Sequence, residues 1–204
     1  MNNTPYDSKF HRKRIGNARY PGLAIATLAA FTRKFRRKPT HVVDVGSSIG
    51  VLLQQLQLLC QCKATGIDYS VNPDDIVYDG KYIELDLESG VLNSEDLETP
   101  GDIVVCQEVL EHIVNTDNAL DAIDAAAAKE ALLVFGAARP GQKGRHHVTF
   151  KTKDEWRSLL EERGWRHSIA ASRVYSRALR NHGVGGCWLR NTMCLVRAEP
   201  PKQV

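Results

Sequence analysis

The stretch THVVDVGSSIGVLLQQL, residues 40–56, decides the fold class. Residues 41–45, HVVDV, form a short apolar run broken by one acid, Asp44; leucines at helical spacing follow from Val51. A run of that length between turn signals reads as a buried strand, and Leu52, Leu53 and Leu56 read as the inner face of a helix. Between them Gly46 and Gly50 flank Ser47, Ser48 and Ile49. Gly46 permits a tight turn, and Gly50 lets the helix approach the strand closely. The helix then opens with its positive end exposed next to the turn.

Working outward, the same alternation continues. Pro21 opens a helix, PGLAIATLAAFTRKF, and Pro39 closes it. KATGIDYS, KYIELDL, GDIVVCQ and EALLVFGAA read as further strands, with a helix NALDAIDAAAAK before the last of them. An amphipathic helix runs from near Thr152 to Gly164, and HSIAASRVYSRA and TMCLVRAE read as two closing strands around the loop NHGVGGC. Strands alternating with helices predict an α/β fold with a Rossmann-like, doubly wound sheet. Seven strands are expected, mostly parallel with an antiparallel last strand, in a three-layer sandwich. Residues 1–38 form a basic N-terminal arm and helix, and residues 39–204 form the domain. Ligands of such sheets bind beyond the C-terminal strand ends.

Composition narrows the setting. The chain has 204 residues, 43% of them apolar and 25% charged, which fits one globular domain. No apolar stretch reaches the roughly 18 residues that span a bilayer, and MNNTPYDSKFHRKR has no apolar segment of a secretory signal. Five scattered cysteines point to reduced thiols and a cytoplasmic setting. Cys60-x-Cys62 is too tight for an ordinary zinc pair and reads as buried thiol. Residues 1–38 carry ten Lys/Arg and one acid, Asp7, whereas residues 74–130 have only Lys81 and Lys129 against many acids. The arm could meet a nucleic acid, although cations also suit the end of a helix.

The ligand of the opening turn can be narrowed from its neighbours. A dinucleotide fingerprint would place glycines at 48 and 51, where Ser48 and Val51 stand. Asp44, at the strand end, would repel a pyrophosphate and attract a cationic or zwitterionic group. Asp68 ends the next strand at the spacing where an acid takes ribose hydroxyls. The combination suits a nucleoside that carries an amino group.

VVDVGSSIG, followed by GIDYS, LDLESG and DIVVCQEVLEHI, resembles the small single-domain class I S-adenosylmethionine-dependent methyltransferases of the type 11-like kind. LLVFGAARPGQKGRHHVTF resembles a subset of them, and the likeness runs from about residue 40 to 166, with a weaker echo in YDSKF and in the final strand. The resemblance implies that Gly46, Ser47, Ser48 and Gly50 lie beneath the methionine part of S-adenosylmethionine, with Asp44 near its amino end. It implies that Asp68 takes both ribose hydroxyls, that Tyr69 flanks the adenine, and that Asp86 with Leu87 meets the adenine edge. Cys106 and Gln107 would line the pocket where the methyl points. The family usually has glycine at position 48, so Ser48 implies weaker rather than absent binding.

A second constellation is Glu108, Glu111, His112 and His147, joined by His146. If helical, Glu108 shares a face with Glu111 and His112. The favoured reading orients substrate, with His147 or His112 as general base and no metal assigned. Small-RNA 2′-O-methyltransferases hold a divalent metal with a similar E-x-x-E-H and downstream histidine, which supplies the rival. The expected acceptor is a small molecule presenting oxygen or nitrogen; RNA, met through the basic arm, is the second partner class. A third reading keeps the fold as a catalytically inactive RNA-binding or structural protein. The helix before residue 40 and RNHGVGGCWLRN are expected to cover the substrate. No membrane partner is expected, and the chain is a monomer or, through an exposed final strand, a homodimer.

Overall fold

Every position of β1 (His41–Val45) is buried, because helices cover both faces of the sheet to which it is central. The computed structural model describes residues 8–69 and 71–197. The other strands are β2 (Lys63–Asp68), β3 (Lys81–Glu84), β4 (Gly101–Gln107), β5 (Ala127–Gly136), β6 (Trp165–His167) and β7 (Met193–Arg197). They form a seven-stranded sheet in the order β3-β2-β1-β4-β5-β7-β6. β1 to β5 are parallel, and β7 runs antiparallel to both β5 and β6. Chain order reverses between β1 and β4, so the crevice of this fold opens beyond Val45 and Gln107.

Two apolar layers flank the sheet. On one face Leu23, Phe31, Leu53, Leu56, Tyr175 and Leu179 pack from α2 (Arg19–Phe35), α3 (Val51–Cys60) and α6 (Ile169–Asn181). On the other, Leu120 and Ile123 of α4 (Asp117–Ala126) and Trp156 and Leu160 of α5 (Lys153–Glu162) meet Val43, Val104 and Phe135. Short helices α1 (Ser8–Arg12) and α7 (Cys187–Asn191) border the crevice end. No helix among the described residues is long and apolar enough to cross a membrane.

The strands 41–45 and 101–107 and the helix 51–60 match their expected bounds. HSIAASRVYSRA does not: it is α6, capped by the Ser168 hydroxyl, with Ala171, Tyr175 and Leu179 buried at four-residue spacing. The strand that pairs with β7 is instead the three residues Trp165–His167. The final strand therefore lies inside the sheet between β5 and β6, and no exposed edge of β7 remains for a dimer. Ala127–Lys129 leave the expected helix and enter β5, where Ala127 pairs with Gly101. Of the YDSKF likeness, Tyr6 and Asp7 lie outside the described residues.

The turn after β1 depends on left-handed backbone. Gly46 (φ 84°) and Gly50 (φ 79°) adopt it, and a Cβ at either would collide with Val109 or with the Tyr78 ring. Ser48 (φ 54°) adopts it too, which explains why glycine suits that position. The Gly46 and Ser47 amides donate to the Ile67 carbonyl at 2.8 and 3.1 Å, holding the turn against β2. At the opposite end of the sheet, Arg37 donates to Asp102 at 2.8 Å, and the Thr40 amide and hydroxyl donate to it at 2.6 and 2.7 Å. Burial alone would push the Asp102 carboxyl up; these hydrogen bonds outweigh it and hold it at about 2.

Gly46→Ala and Gly50→Ala should each lower stability by roughly 2 kcal/mol or more. Ser48→Gly should change it by less than about 1 kcal/mol, since relief of the left-handed serine offsets the lost His11 contact. Thermal unfolding reads both. Because the folded carboxyl of Asp102 lies below its ordinary value, its contribution is complete above about pH 4 and disappears as pH falls toward 2. Asp102→Asn should cost about 1–2 kcal/mol at neutral pH, discounted for the exposure of Arg37. In urea melts that difference should close over the same acid range.

Candidate active site

Two adjoining cavities, of about 440 and 350 Å³, open where β1 and β4 end. They share Arg14, Gly46, Ser48 and Glu108, so the glycine turn forms the ridge between them. The larger is walled by Asp68, Tyr69, Asp86, Leu87 and Val109, then by His112, His146 and His147 farther out. The smaller is walled by Tyr20, Asp44, Ser47, Gln107 and Trp188.

The turn and the end of β2 are tied together by charge. Asp68 accepts from the Ser48 amide and, at 2.7 Å, from the Tyr69 amide. Each carboxylate oxygen has a second lone pair, so Asp68 can still accept from two hydroxyl groups. Burial raises the Asp68 carboxyl, and these amides pull it back. Asp44 is raised as well: burial first, then the Asp68 charge, lift it to about 7 against the pull of Arg14. The Ser48 hydroxyl meets the His11 Nδ1 at 2.6 Å, which brings α1 over the turn.

The remaining expected positions divide. Tyr69 is exposed at the cavity mouth, and Leu87 is a buried part of its wall. The Asp86 carboxylate closes its own turn, accepting from the Glu88 amide at 3.0 Å and the Ser89 hydroxyl at 2.7 Å. Gln107 reaches the smaller cavity while donating to Thr192 at 2.8 Å and to Tyr175 at 3.2 Å. Cys106 borders neither cavity. Alternation along β4 turns it into the apolar layer beneath α4, so the expectation that it lines the pocket is corrected.

The acidic cluster is not helical at its start. Leu110–His112 form one 3-10 turn, and Glu108 sits in left-handed backbone (φ 58°) with its amide bound to the Gly136 carbonyl at 2.7 Å. Glu108 therefore does not share a helix face with Glu111 and His112. Its carboxylate accepts from Asn191 at 3.3 Å. Glu111 points inward and is 0% exposed, with no hydrogen-bond partner for either carboxylate oxygen. Burial and then the neighbouring Glu108 charge raise it to about 7; the nearby amides of Glu111 and Ala138 oppose this without completing a hydrogen bond. The Glu111 carbonyl accepts from the Val148 and Thr149 amides at 2.8 and 3.1 Å, which docks the histidine loop. The His112 Nδ1 faces the His146 carbonyl at 3.1 Å, and the His112 and His147 rings meet edge to face with centroids 4.9 Å apart. One donor atom each from Glu111, His112 and His147 lies within 4.8 Å of the others.

Several wall residues lie outside the expected set: His11, Arg14, Tyr20, Val109 and Trp188. His11, Arg14 and Tyr20 come from the segment read as a basic arm and helix, where charge alone gave no contact. Trp188, from the loop RNHGVGGCWLRN, lines the smaller cavity. α2 mainly packs into the core, but Arg19, Tyr20 and Leu23 in its first turns line the smaller cavity together with Arg14 and Asn17 just before it.

The model of a methyltransferase domain family matches residues 17–168. A search of curated proteins finds no significant match. Among solved structures, the plantazolicin methyltransferase BamL, in complex with a triazolic desmethylPZN analog and SAH, is 15% identical with a TM-score of 0.64, covering 94% of this chain and 90% of that one. The O-methyltransferase of a trans-AT PKS multienzyme of Brevibacillus brevis, in complex with S-adenosyl-L-homocysteine, is 16% identical with a TM-score of 0.56, over 93% and 75% of the two chains. A putative methyltransferase in complex with the Haloferax volcanii Trm112 activator is 13% identical with a TM-score of 0.57, over 93% and 98%. These likenesses are of fold, and the family match spans the cavity-bearing half of the sheet and the histidine loop. The chain belongs to the methyltransferase domain family.

Proposed function

We propose that this protein transfers the methyl group of S-adenosylmethionine to an oxygen or nitrogen of a small molecule. The observation that carries the reading is the pair of cavities joined over Gly46 and Ser48, with Asp68 on one side and Asp44 on the other. An adenosine fits the larger cavity between Tyr69, Asp86, Leu87 and Val109, with its ribose on Asp68. The amino-acid end passes over Gly46, Ser47, Ser48 and Gly50 into the smaller cavity, where Asp44 pairs with its ammonium and Gln107 lines the wall. The sulfonium methyl then faces the space between Glu108 and the His112–His147 pair. Methyl transfer needs mainly an acceptor aligned with methyl and sulfur, so holding the acceptor in that space is the main catalytic task. The two imidazoles are placed to handle the acceptor's proton.

RNA is the weaker second reading. The Glu111–His112–His147 cluster favours it, but two arginines of the basic arm are engaged within the fold. Arg37 is fixed to Asp102 at the start of β4, about 20 Å along the strand from the cavities, and Arg12 is paired with Asp75 at 2.6 Å. The inactive reading, motivated by Ser48, requires that the cavities take no cofactor.

Calorimetry with S-adenosylhomocysteine separates these. Asp68→Ala should weaken binding about 100-fold, the loss of two hydrogen bonds to a charged acceptor. Asp86→Ala should cost less than about fivefold, because that carboxylate is spent on its own turn. A folded wild-type chain that takes no ligand at millimolar concentration would refute the methyltransferase reading. The raised Asp44 carboxyl adds a pH dependence: below about pH 7 a proton must leave before the ammonium can pair. Affinity should fall as pH drops from about 8 to 6, approaching tenfold per unit at the acid end. Asp44→Asn should bind more weakly at pH 8 and flatten that slope.

A further inference from the structure

We infer that a basic groove along α6 binds a small oligophosphate, a ligand carrying two or more linked phosphoryl groups, at a site separate from the two joined cavities. Residues 163–197 hold seven arginines and no Asp or Glu, so this stretch cannot neutralise its own charge. Arg173, Arg177 and Arg180 recur at i, i+4 and i+7, which sets them on one side of α6 over about 10 Å, at about 1.5 Å per residue. All three border a groove of about 540 Å³, together with Lys153 of α5 and His167 of β6. No acid among the described residues lines it.

The cations of the groove lack anionic partners. None of the three guanidinium groups makes an ion pair or hydrogen bond among the described residues. Arg163 of the same stretch, by contrast, is taken by Asp121 and Asp124 at 2.7 and 2.8 Å. The half-buried Lys153 ammonium donates to the Thr192 carbonyl at 2.6 Å and has two further N–H groups to give. Burial lowers Lys153 below its ordinary value, and burial, then the charges of Lys153 and Arg157, lower His167. Asp154 and Glu161 act against these shifts, but neither borders the groove, and Asp154 pairs with Arg157 at 3.1 Å. A phosphoryl group supplies the missing negative charge, and its oxygens match the guanidinium forks. Cations spread over this length outreach a single phosphate, so a ligand with several in a row fits best. No aromatic ring lines the groove to stack a base, so the phosphoryl chain is what it reads. Thr192 separates the groove from the site already described: its hydroxyl accepts from Gln107, in the wall of the smaller cavity, at 2.8 Å. Oligophosphate binding does not depend on the methyltransferase reading.

The test is calorimetric titration of the full chain with sodium tripolyphosphate at low salt, with orthophosphate and a single-stranded RNA oligonucleotide run alongside. One saturable site per chain is expected, weakened by added salt. Orthophosphate, with fewer charged contacts, should bind at least about tenfold more weakly. Arg173→Ala, Arg177→Ala and Arg180→Ala combined should weaken tripolyphosphate binding at least about tenfold. Removing the same charge from the exposed end of α2, with Arg33→Ala, Lys34→Ala and Lys38→Ala, should change it by less than about twofold. Circular dichroism checks folding, and Arg177→Ala alone, with an expected loss of about threefold, serves if the triple variant does not fold. No saturation of the folded wild type at millimolar tripolyphosphate would overturn the site, as would an equal loss in the α2 variant or equal affinity for orthophosphate. RNA that binds more tightly than tripolyphosphate and is lost in the α6 variant would reassign the groove to nucleic acid and overturn it too. S-adenosylhomocysteine calorimetry on the same protein reports separately on the methyltransferase reading.

Discussion

The contact on which this structure turns is the hydrogen bond from the Ser48 amide to the Asp68 carboxylate. It forms only because residues 46, 48 and 50 all adopt left-handed backbone, which points the turn's amides outward beyond β1. The same bond orients Asp68 across the cavity and joins the ends of two neighbouring parallel strands. β1, β2 and α3 exist to hold this turn, and both cavities are defined by it. Serine in place of glycine leaves the geometry intact and adds a hydroxyl that α1 reaches through His11.

The site also concentrates buried acids. Asp44, Asp68 and Glu111 are all pushed up by burial, and Asp44 feels Asp68 while Glu111 feels Glu108. Structural carboxylates elsewhere are treated differently: Asp102 is surrounded by donors and held at about 2. Acids left under-compensated beside a cavity suit positive partners; in the proposed complex an ammonium answers Asp44 and hydroxyl hydrogens answer Asp68.

Much of this was legible in the sequence, and the failures have physical causes. HVVDV, VLLQQLQLLC and GDIVVCQ are continuous apolar runs bounded by turn residues, so local pattern and tertiary structure agree on them. Ala171, Tyr175 and Leu179 carry a helical period, but Ser168, Ser172 and Ser176 dilute it and the β-branched Ile169 and Val174 point the other way. Cys106 and Gln107 are adjacent in sequence and opposite in the sheet, and only the register of β4 tells which one faces the cavity. The helix on which Glu108 would share a face with Glu111 and His112 does not form, because Glu108 adopts left-handed backbone with its amide on the Gly136 carbonyl. His11, Arg14 and Tyr20 reach the cavities through a tertiary fold-back that no local pattern encodes.

The central claim is that one ligand lies across the Gly46–Ser48 ridge, with its ribose on Asp68 and its amino-acid end toward Asp44. A crystal structure of the chain with S-adenosylhomocysteine tests it most directly. The account predicts both ribose hydroxyls within hydrogen-bond distance of Asp68, adenine against Leu87 and the amino group beside Asp44. Ligand bound outside the two joined cavities, or lying in them with the ribose away from Asp68, would contradict it.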